Sequence, residues 1–245
     1  MTRFDSEANS YEASVDGSIS FSGSNASDFA RRKARQLLDV CNRQCGDPSE
    51  LSVLDAGCGV GLTDEYLVDH VRELHGVDIS ARAVEYAARR NPGARYQLSD
   101  SGPFPFDDGT FDAAFAACVF HHIPPVERRT FAMELRRVVR PHGMVMVFEH
   151  NPFNPLTRLA VARCEFDDDA ILLRRRALRD LLASAGLRPR ESRYVVFFPR
   201  GGTRVETAER WLGRVPLGAQ YYVAAANAWR DQPVSGSAHG SPSSA

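Results

Sequence analysis

Leu51-Ser-Val-Leu-Asp55-Ala-Gly57-Cys58-Gly59-Val-Gly61 is the stretch whose reading decides the fold. A short apolar run ends in an acid and then breaks into three alternating glycines, and an amphipathic pattern follows from Leu62. This predicts a buried parallel strand, a tight turn, and a helix whose N-terminus faces a ligand. Glycine is needed where the backbone takes angles other residues avoid, or where a ligand approaches its N–H groups. The arrangement points to a nucleoside-bearing cofactor.

The residues around the turn bear on which cofactor. A dinucleotide fingerprint, Gly-x-Gly-x-x-Gly, fits at Gly57 and Gly59 but meets Leu62 where its third glycine belongs. Asp55 stands two residues before the first glycine. A carboxylate there is a poor neighbour for a pyrophosphate and a good one for a ligand carrying an ammonium and a sulfonium. Leu74-His-Gly-Val77-Asp78-Ile79-Ser80 reads as a second strand ending in an acid. It follows the turn by about 20 residues, the spacing at which a carboxylate accepts ribose hydroxyls. Ser80 is the expected N-cap of a helix over Ala81–Arg90, which Asn91-Pro92-Gly93 ends. A third strand, Ala94–Leu98, leads to Ser99-Asp100.

Outward from this core the alternation of strand and helix continues. A fourth strand is expected over Gly109–Phe120, a helix from Pro124 to Arg140, a fifth strand over Met144–Phe148 and a helix over Ala170–Ala185. Tyr194–Phe198 and Gln220–Ala225 are two late strands that extend the sheet to seven. The fold class expected is α/β, a doubly wound, mostly parallel sheet. Residues 1–24 form a polar, Ser-rich arm, 25–230 the domain, and 231–245 a Ser/Gly-rich tail expected to lack structure. Before the first strand, apolar positions 29, 34, 37, 38 and 41 make one helical stripe.

The chain has 245 residues, 43% hydrophobic and 25% charged, enough for one sizeable α/β domain. A net charge of −1 excludes broad electrostatic attraction to nucleic acid, and no basic stripe is visible. No apolar stretch approaches the ~20 residues of a membrane span, and no signal-peptide core opens the chain. The five cysteines form no Cys-x-x-Cys pair, and Cys41 and Cys45, one helical turn apart, lack further ligands. A soluble, cytoplasmic protein with no metal site is therefore expected. Oligomeric state is not legible in the residues.

Asp55-x-Gly57-x-Gly59-x-Gly61, with Asp78 and Asp100 closing the next two strands, resembles the class I S-adenosylmethionine (SAM)-dependent methyltransferases. The likeness runs from about Phe29 to Ala225. Pro105–Asp112, Cys118–Ile123 and Leu135–Gly143 are similar to segments of the type 11, UbiE-like small-molecule group, with His142 where that group has glycine. Glu149–Arg158, with Cys164-Glu-Phe166-Asp167, resembles a bacterial subgroup carrying "EHNPxNPLTR…CPFD".

The resemblance implies a Rossmann-like sheet whose seventh strand is reversed beside the fifth. It implies SAM as cofactor and methyl transfer to O, N or C of a small-molecule acceptor. Cofactor contacts are implied at Asp55, Gly57, Cys58, Gly59, Gly61, Asp78, Ile79, Asp100, Ser101 and Cys118. In this family the leading helix and its arm often cover the cofactor; a plain packing helix is the alternative. Two other functions stay open: SAM chemistry without methyl transfer (aminocarboxypropyl transfer or cyclisation), and a non-catalytic SAM-binding protein.

A sulfonium methyl is already activated, so the protein must mainly align the partners and exclude water. A base is needed only when the acceptor holds its proton tightly, and histidine suits neutral pH. His121 and His122 follow the fourth strand and His150 ends the fifth. His122 and His150 are the first catalytic candidates, with a structural role as the alternative. The Asn-Pro loop after His150 is either an acceptor pocket or a rigid turn. Gly59→Val is expected to be worse than Gly61→Ala, because a branched side chain would keep the backbone from the ligand, and Asp78 is expected to contribute little to folding.

Overall fold

The computed structural model describes residues 11–20, 23–99, 102–198 and 211–228. The strands are β1 (Ser52–Ala56), β2 (Glu73–Asp78), β3 (Arg95–Leu98), β4 (Phe111–Ala117), β5 (Val139–His150), β6 (Leu187–Val195) and β7 (Gln220–Asn227). The helices are α1 (Tyr11–Ile19), α2 (Ala26–Gln44), α3 (Ala81–Arg90), α4 (Arg128–Val138), α5 (Pro155–Val161) and α6 (Arg175–Ser184). One seven-stranded sheet runs in the order β3-β2-β1-β4-β5-β7-β6. β1 to β5 are parallel, and β7 is antiparallel between β5 and β6, as the resemblance implied. Strand order reverses between β1 and β4, and ligands bind beyond the C-terminal strand ends at such a point.

Alternation along each strand feeds two cores. Leu54 and Ala56 face one layer, with Leu135 of α4 and Leu178 and Leu182 of α6. Val53 faces the other, with Leu37 and Val40 of α2. β1 is buried along its whole length, because both faces are covered.

Local chemistry sets the element ends. Asn25 caps α2 by accepting from the Asp28 N–H. Ser80 caps α3 by accepting from the Ala83 N–H at 3.2 Å, and α3 spans the residues expected. Other boundaries differ. α4 ends at Val138 and β5 begins at once, bending through His142 at φ 65°, a left-handed angle that glycine adopts most easily. β6 starts seven residues before the expected Tyr194; it is the sheet edge, and its solvent-facing Arg and Glu residues conceal the alternation.

The helix expected after the glycine turn does not form; a single 3-10 turn, Asp64–Tyr66, leads through further turns to β2. Long-range bonds take over there. Asp64 turns inward, fully buried, and accepts from Tyr96 Oη at 2.7 Å, while Asn91 Nδ2 donates to the Gly61 carbonyl at 2.9 Å. No helix N-terminus is therefore offered to a ligand at this turn.

Within the expected N-terminal arm, α1 forms a helix that touches α2, α5 and the turn at Glu165–Asp167. Its Asp16 accepts from the Ala26 N–H at 2.6 Å. The tail 231–245 lies outside the described residues. No helix among the described residues is long and apolar enough to cross a membrane.

Candidate functional site

Two groups of side chains meet at the C-terminal edge of the parallel strands. The first surrounds the glycine turn. Gly57, Gly59 and Gly61 have φ of 83°, 52° and 71°, the region that favours glycine. The turn's N–H groups are already engaged. Gly57 and Cys58 donate to the Val77 carbonyl, Gly61 to the Cys58 carbonyl, and Gly59 to Asp78 Oδ2 at 2.8 Å. The glycines therefore serve shape rather than anion binding. A side chain at Gly59 would meet nothing within 4 Å, whereas one at Gly61 would lie 2.5 Å from Asn91 Nδ2. Gly61 thus faces the protein and Gly59 faces open space.

Asp55 is 2% exposed at the end of β1, and the one partner its carboxyl meets is the equally buried carboxyl of Asp64. Burial, then the carboxylates of Asp64 and Asp78, hold its pKa well above the usual range. Burial likewise pushes Asp64 up to about 6. Two buried acids in contact favour a shared proton or a nearby cation. This is the fit expected for a ligand with a positive end. Lys33, half-buried on α2 and the chain's one lysine, acts on Asp55 with opposite charge.

Asp78 accepts from the N–H groups of Gly59 and Ser80, at 2.8 and 2.9 Å, so it ties the turn to α3. That corrects the expectation that it contributes little to folding. Ile79 beside it is 51% exposed. Cys58 is buried, and burial and the three acids push its thiol well up, away from reactivity. Asp100 and Ser101 lie outside the described residues.

The second group centres on His121. It is 1% exposed, and its Nδ1 lies 2.6 Å from Oε2 of Glu149, itself fully buried. The other Glu149 oxygen accepts from the Phe120 N–H at 2.9 Å, which fixes the carboxylate. His121 Nε2 makes no well-aligned hydrogen bond and lies 3.4 Å from Asp167 Oδ1. The His122 ring is centred 4.2 Å from that of His121, and the His150 ring 5.0 Å. His122 Nε2 is also 3.4 Å from Asp167 Oδ1.

Asp167 is brought in from the turn after α5. The Ile171 N–H donates to the His121 carbonyl at 2.9 Å, and Arg128 bridges the carbonyls of Ile123 and Ile171. These bonds clamp the 165–171 segment to the end of β4.

The charges in this group are coupled. Burial opposes ionisation of His121, but Glu149 and Asp167 outweigh it and raise the imidazole to about 10. Asp167, despite burial, is drawn down to about 2 by the imidazoles. Burial, then the His121 charge, lowers His122 to about 4. Cys118 has a left-handed φ of 62° just beyond β4. Burial raises its thiol, yet Lys33 and His150 bring it down to about 7.

Three participants escaped the sequence reading as members of this group. Glu149 and Asp167 stood only inside a family-like motif. Gln220 pairs in register with His150 across β5–β7, is buried, donates to Cys118 Sγ at 3.6 Å and leaves its Oε1 without a partner. The signal available was an uncharged polar residue heading an otherwise apolar strand.

The Asn-Pro loop is fastened by its own side chains. Asn151 is fully buried and donates to the carbonyls of Pro216 and Gly218. Asn154 caps α5 and donates to the Leu217 carbonyl, and Thr157 donates to that of Ala219. These side chains fasten the loop to the segment before β7.

Residues 54–147 match the family described as a methyltransferase domain. A 2-methyl-6-phytyl-1,4-hydroquinone methyltransferase of Synechocystis is 33% identical over 108 residues, covering 42% of this chain and 33% of that protein. The chain spans between 33% and 49% of the length of the first three curated relatives. A SAM-dependent methyltransferase of Thermotoga maritima shares the fold with a TM-score of 0.64 at 19% identity, over 91% of this chain and 98% of that one. Geranyl diphosphate C-methyltransferase of Streptomyces coelicolor, in complex with S-adenosyl-L-homocysteine, aligns with a TM-score of 0.57 at 18% identity, over 80% and 78%. Residues 54–147 thus match a methyltransferase domain, on a fold that SAM-dependent methyltransferases of solved structure share.

Proposed function

We propose that this chain transfers a methyl group from SAM to a small-molecule acceptor through O, N or C. The observation that carries the reading is the pair of buried carboxyls, Asp55 and Asp64, at a glycine turn whose left-handed Gly59 opens onto free space. Asp55 and Asp64 would receive the cofactor's positive end. Asp78 offers its carboxylate to ribose hydroxyls and Ile79 an apolar surface to the base, with Asp100 and Ser101 on the adenine side. Gly57, Cys58, Gly59 and Gly61 shape the turn, and Cys118 borders it from β4.

When bound, the cofactor supplies a methyl already activated by the sulfonium. The chain's own task is then alignment and exclusion of water. His122 and His150, at the ends of β4 and β5, stand on the acceptor side. The arm 1–24 acts as a lid, supported by the contacts of α1 with α5 and the 165–167 turn. Residues 25–230 are the catalytic domain. Five cysteines present as thiols fit a reducing cytoplasm, and the balanced charge fits a small acceptor rather than nucleic acid.

Calorimetry with SAM, S-adenosylhomocysteine and NAD on the purified chain tests the cofactor. Binding of the first two at ~1:1, with a rise in melting temperature by linkage, is expected. Binding of NAD alone refutes the reading. An acceptor screen then separates chemistries by product: S-adenosylhomocysteine reports methyl transfer, and methylthioadenosine reports transfer of the aminocarboxypropyl arm.

A further inference from the structure

We infer that His121, His150 and Asp167 form a binding site for one divalent transition-metal ion, zinc being the ion of first choice. The inference stands apart from methyl transfer, since the ion would bind whether or not SAM does. One ligand atom from each of the three residues lies within 4.8 Å of the other two. They come from three segments distant in sequence: the loop after β4, the end of β5 and the turn after α5. Tetrahedral zinc, with bonds of about 2.0–2.1 Å, sets its ligand atoms about 3.3 Å apart. The 3.4 Å from His121 Nε2 to Asp167 Oδ1 already has that spacing. His150, half-buried at the end of β5, completes the group within the 4.8 Å span.

A second observation points the same way. His121 Nε2 is buried and makes no well-aligned hydrogen bond; the group that faces it is Asp167, whose Oδ1 lies 3.4 Å away. Leaving such an atom unsatisfied costs free energy unless a ligand meets it. Its other nitrogen, Nδ1, is held by Glu149 at 2.6 Å, and the backbone N–H of Phe120 holds Glu149 in turn. A metal-binding imidazole nearly always gives its second nitrogen to a carboxylate in this way, which fixes the ring and the tautomer. Here the supporting carboxylate is in place and as deeply buried as the ring.

The donor set selects the ion. Two imidazole nitrogens and one carboxylate suit zinc, cobalt or nickel; magnesium and calcium demand oxygen ligands. Three protein ligands leave a fourth position for water or for an oxygen or nitrogen of a bound molecule.

The test uses the full chain, stripped with a chelator and titrated with Zn2+, Co2+ or Mg2+ alone. One equivalent of Zn2+ should bind with a micromolar or tighter Kd and raise the melting temperature. Co2+ should give the intense visible bands of a four- or five-coordinate site. Asp167→Asn and His150→Ala should weaken Zn2+ by about 100-fold or more, and Glu149→Gln, which touches only His121, by about 10–100-fold. His70→Ala, at an exposed histidine, should change nothing. Circular dichroism checks that each variant is folded, and the Co2+ spectrum of the unaltered chain decides the point should a variant unfold. Zn2+ binding no tighter than about 100 μM overturns the proposal, as does binding that survives in folded His150→Ala and Asp167→Asn. Mg2+ binding in preference to Zn2+ overturns it also.

Discussion

The glycine turn and the His121 group lie on the same sheet edge, yet they are built by opposite means. At the turn, backbone conformation does the shaping. Three left-handed glycines, and N–H groups satisfied within the turn and by Val77 and Asp78, leave a gap beside a buried acid. At the second group, backbone conformation matters little, and side chains from residues 121, 149, 150 and 167 meet only because β4, β5 and the turn after α5 converge. One region is local in sequence and the other is assembled. Lys33 spans them, acting on Asp55 at one and on Cys118 at the other.

The largest effect that tests this contrast is at Gly61. A side chain there would press on Asn91, Ala87 and Tyr96. Overpacking of about 1–3 kcal/mol and a left-handed penalty of about 1–2 kcal/mol should make Gly61→Val lose about 3 kcal/mol of stability. Gly59→Ala should lose only about 1 kcal/mol, while SAM affinity falls sharply, because its methyl enters the open space. Denaturant melts paired with calorimetry read both effects. Should Gly59→Ala bind SAM as the unaltered chain does, the gap beside Asp55 is not a ligand site.

Asn151 is next. Removing its amide leaves the carbonyls of Pro216 and Gly218 and the N–H of Phe153 without their buried partner. Asn151→Ala should cost about 2–3 kcal/mol of stability and leave KM for an acceptor nearly unchanged. A normal melting temperature with a raised KM would transfer Asn151 from the scaffold to the acceptor site and erase the contrast between loop and site.

The same contrast explains what could be read before the structure. Asp55, the three glycines, Asp78 and Ser80 occupy short, ordered spacings, and each strand end they predicted was found within a residue or two. Periodicity after Leu62 misled, because Asp64 and Gly61 are engaged by Tyr96 and Asn91, some thirty residues away, and tertiary bonds outweigh helical propensity. The His121 group was legible only as residue types. Nothing in the sequence measures the distance from residue 121 to 167, and the carboxylates that hold the imidazoles appeared as one more acid in a loop. β6 was misplaced for a surface reason: an edge strand with charged residues on its open face hides its alternation.

Asp78 joins the two kinds of construction, since its side chain holds the backbone of the turn. Asp78→Ala should weaken SAM by about 2 kcal/mol, as for a lost charged hydrogen bond. It should also lower the melting temperature by a few degrees, because the N–H groups of Gly59 and Ser80 lose their acceptor. An unaltered affinity with a lower melting temperature would leave Asp78 purely structural.

The smallest effect expected is a pH dependence at the acid pair. The carboxyls of Asp55 and Asp64 are raised above their ordinary value of 3.8, Asp64 to about 6. The folded chain thus holds these protons more tightly than the unfolded chain. The stabilisation they provide is complete below about pH 4 and is lost as pH rises through about 6. Asp64→Asn keeps an acceptor for Tyr96 Oη but removes one titrating group. Relative to the unaltered chain, this variant should therefore gain about 1 kcal/mol in stability as pH is raised from about 5 to about 7.5. Melting curves of both proteins across that range give the difference directly. A cationic ligand reverses the preference, since it favours ionised carboxylates, so SAM should bind more weakly at the acid end and less so in Asp64→Asn. A stability difference that does not move with pH, together with a pH-independent SAM affinity, would mean that the acids beside the glycine turn are not the charge the cofactor meets.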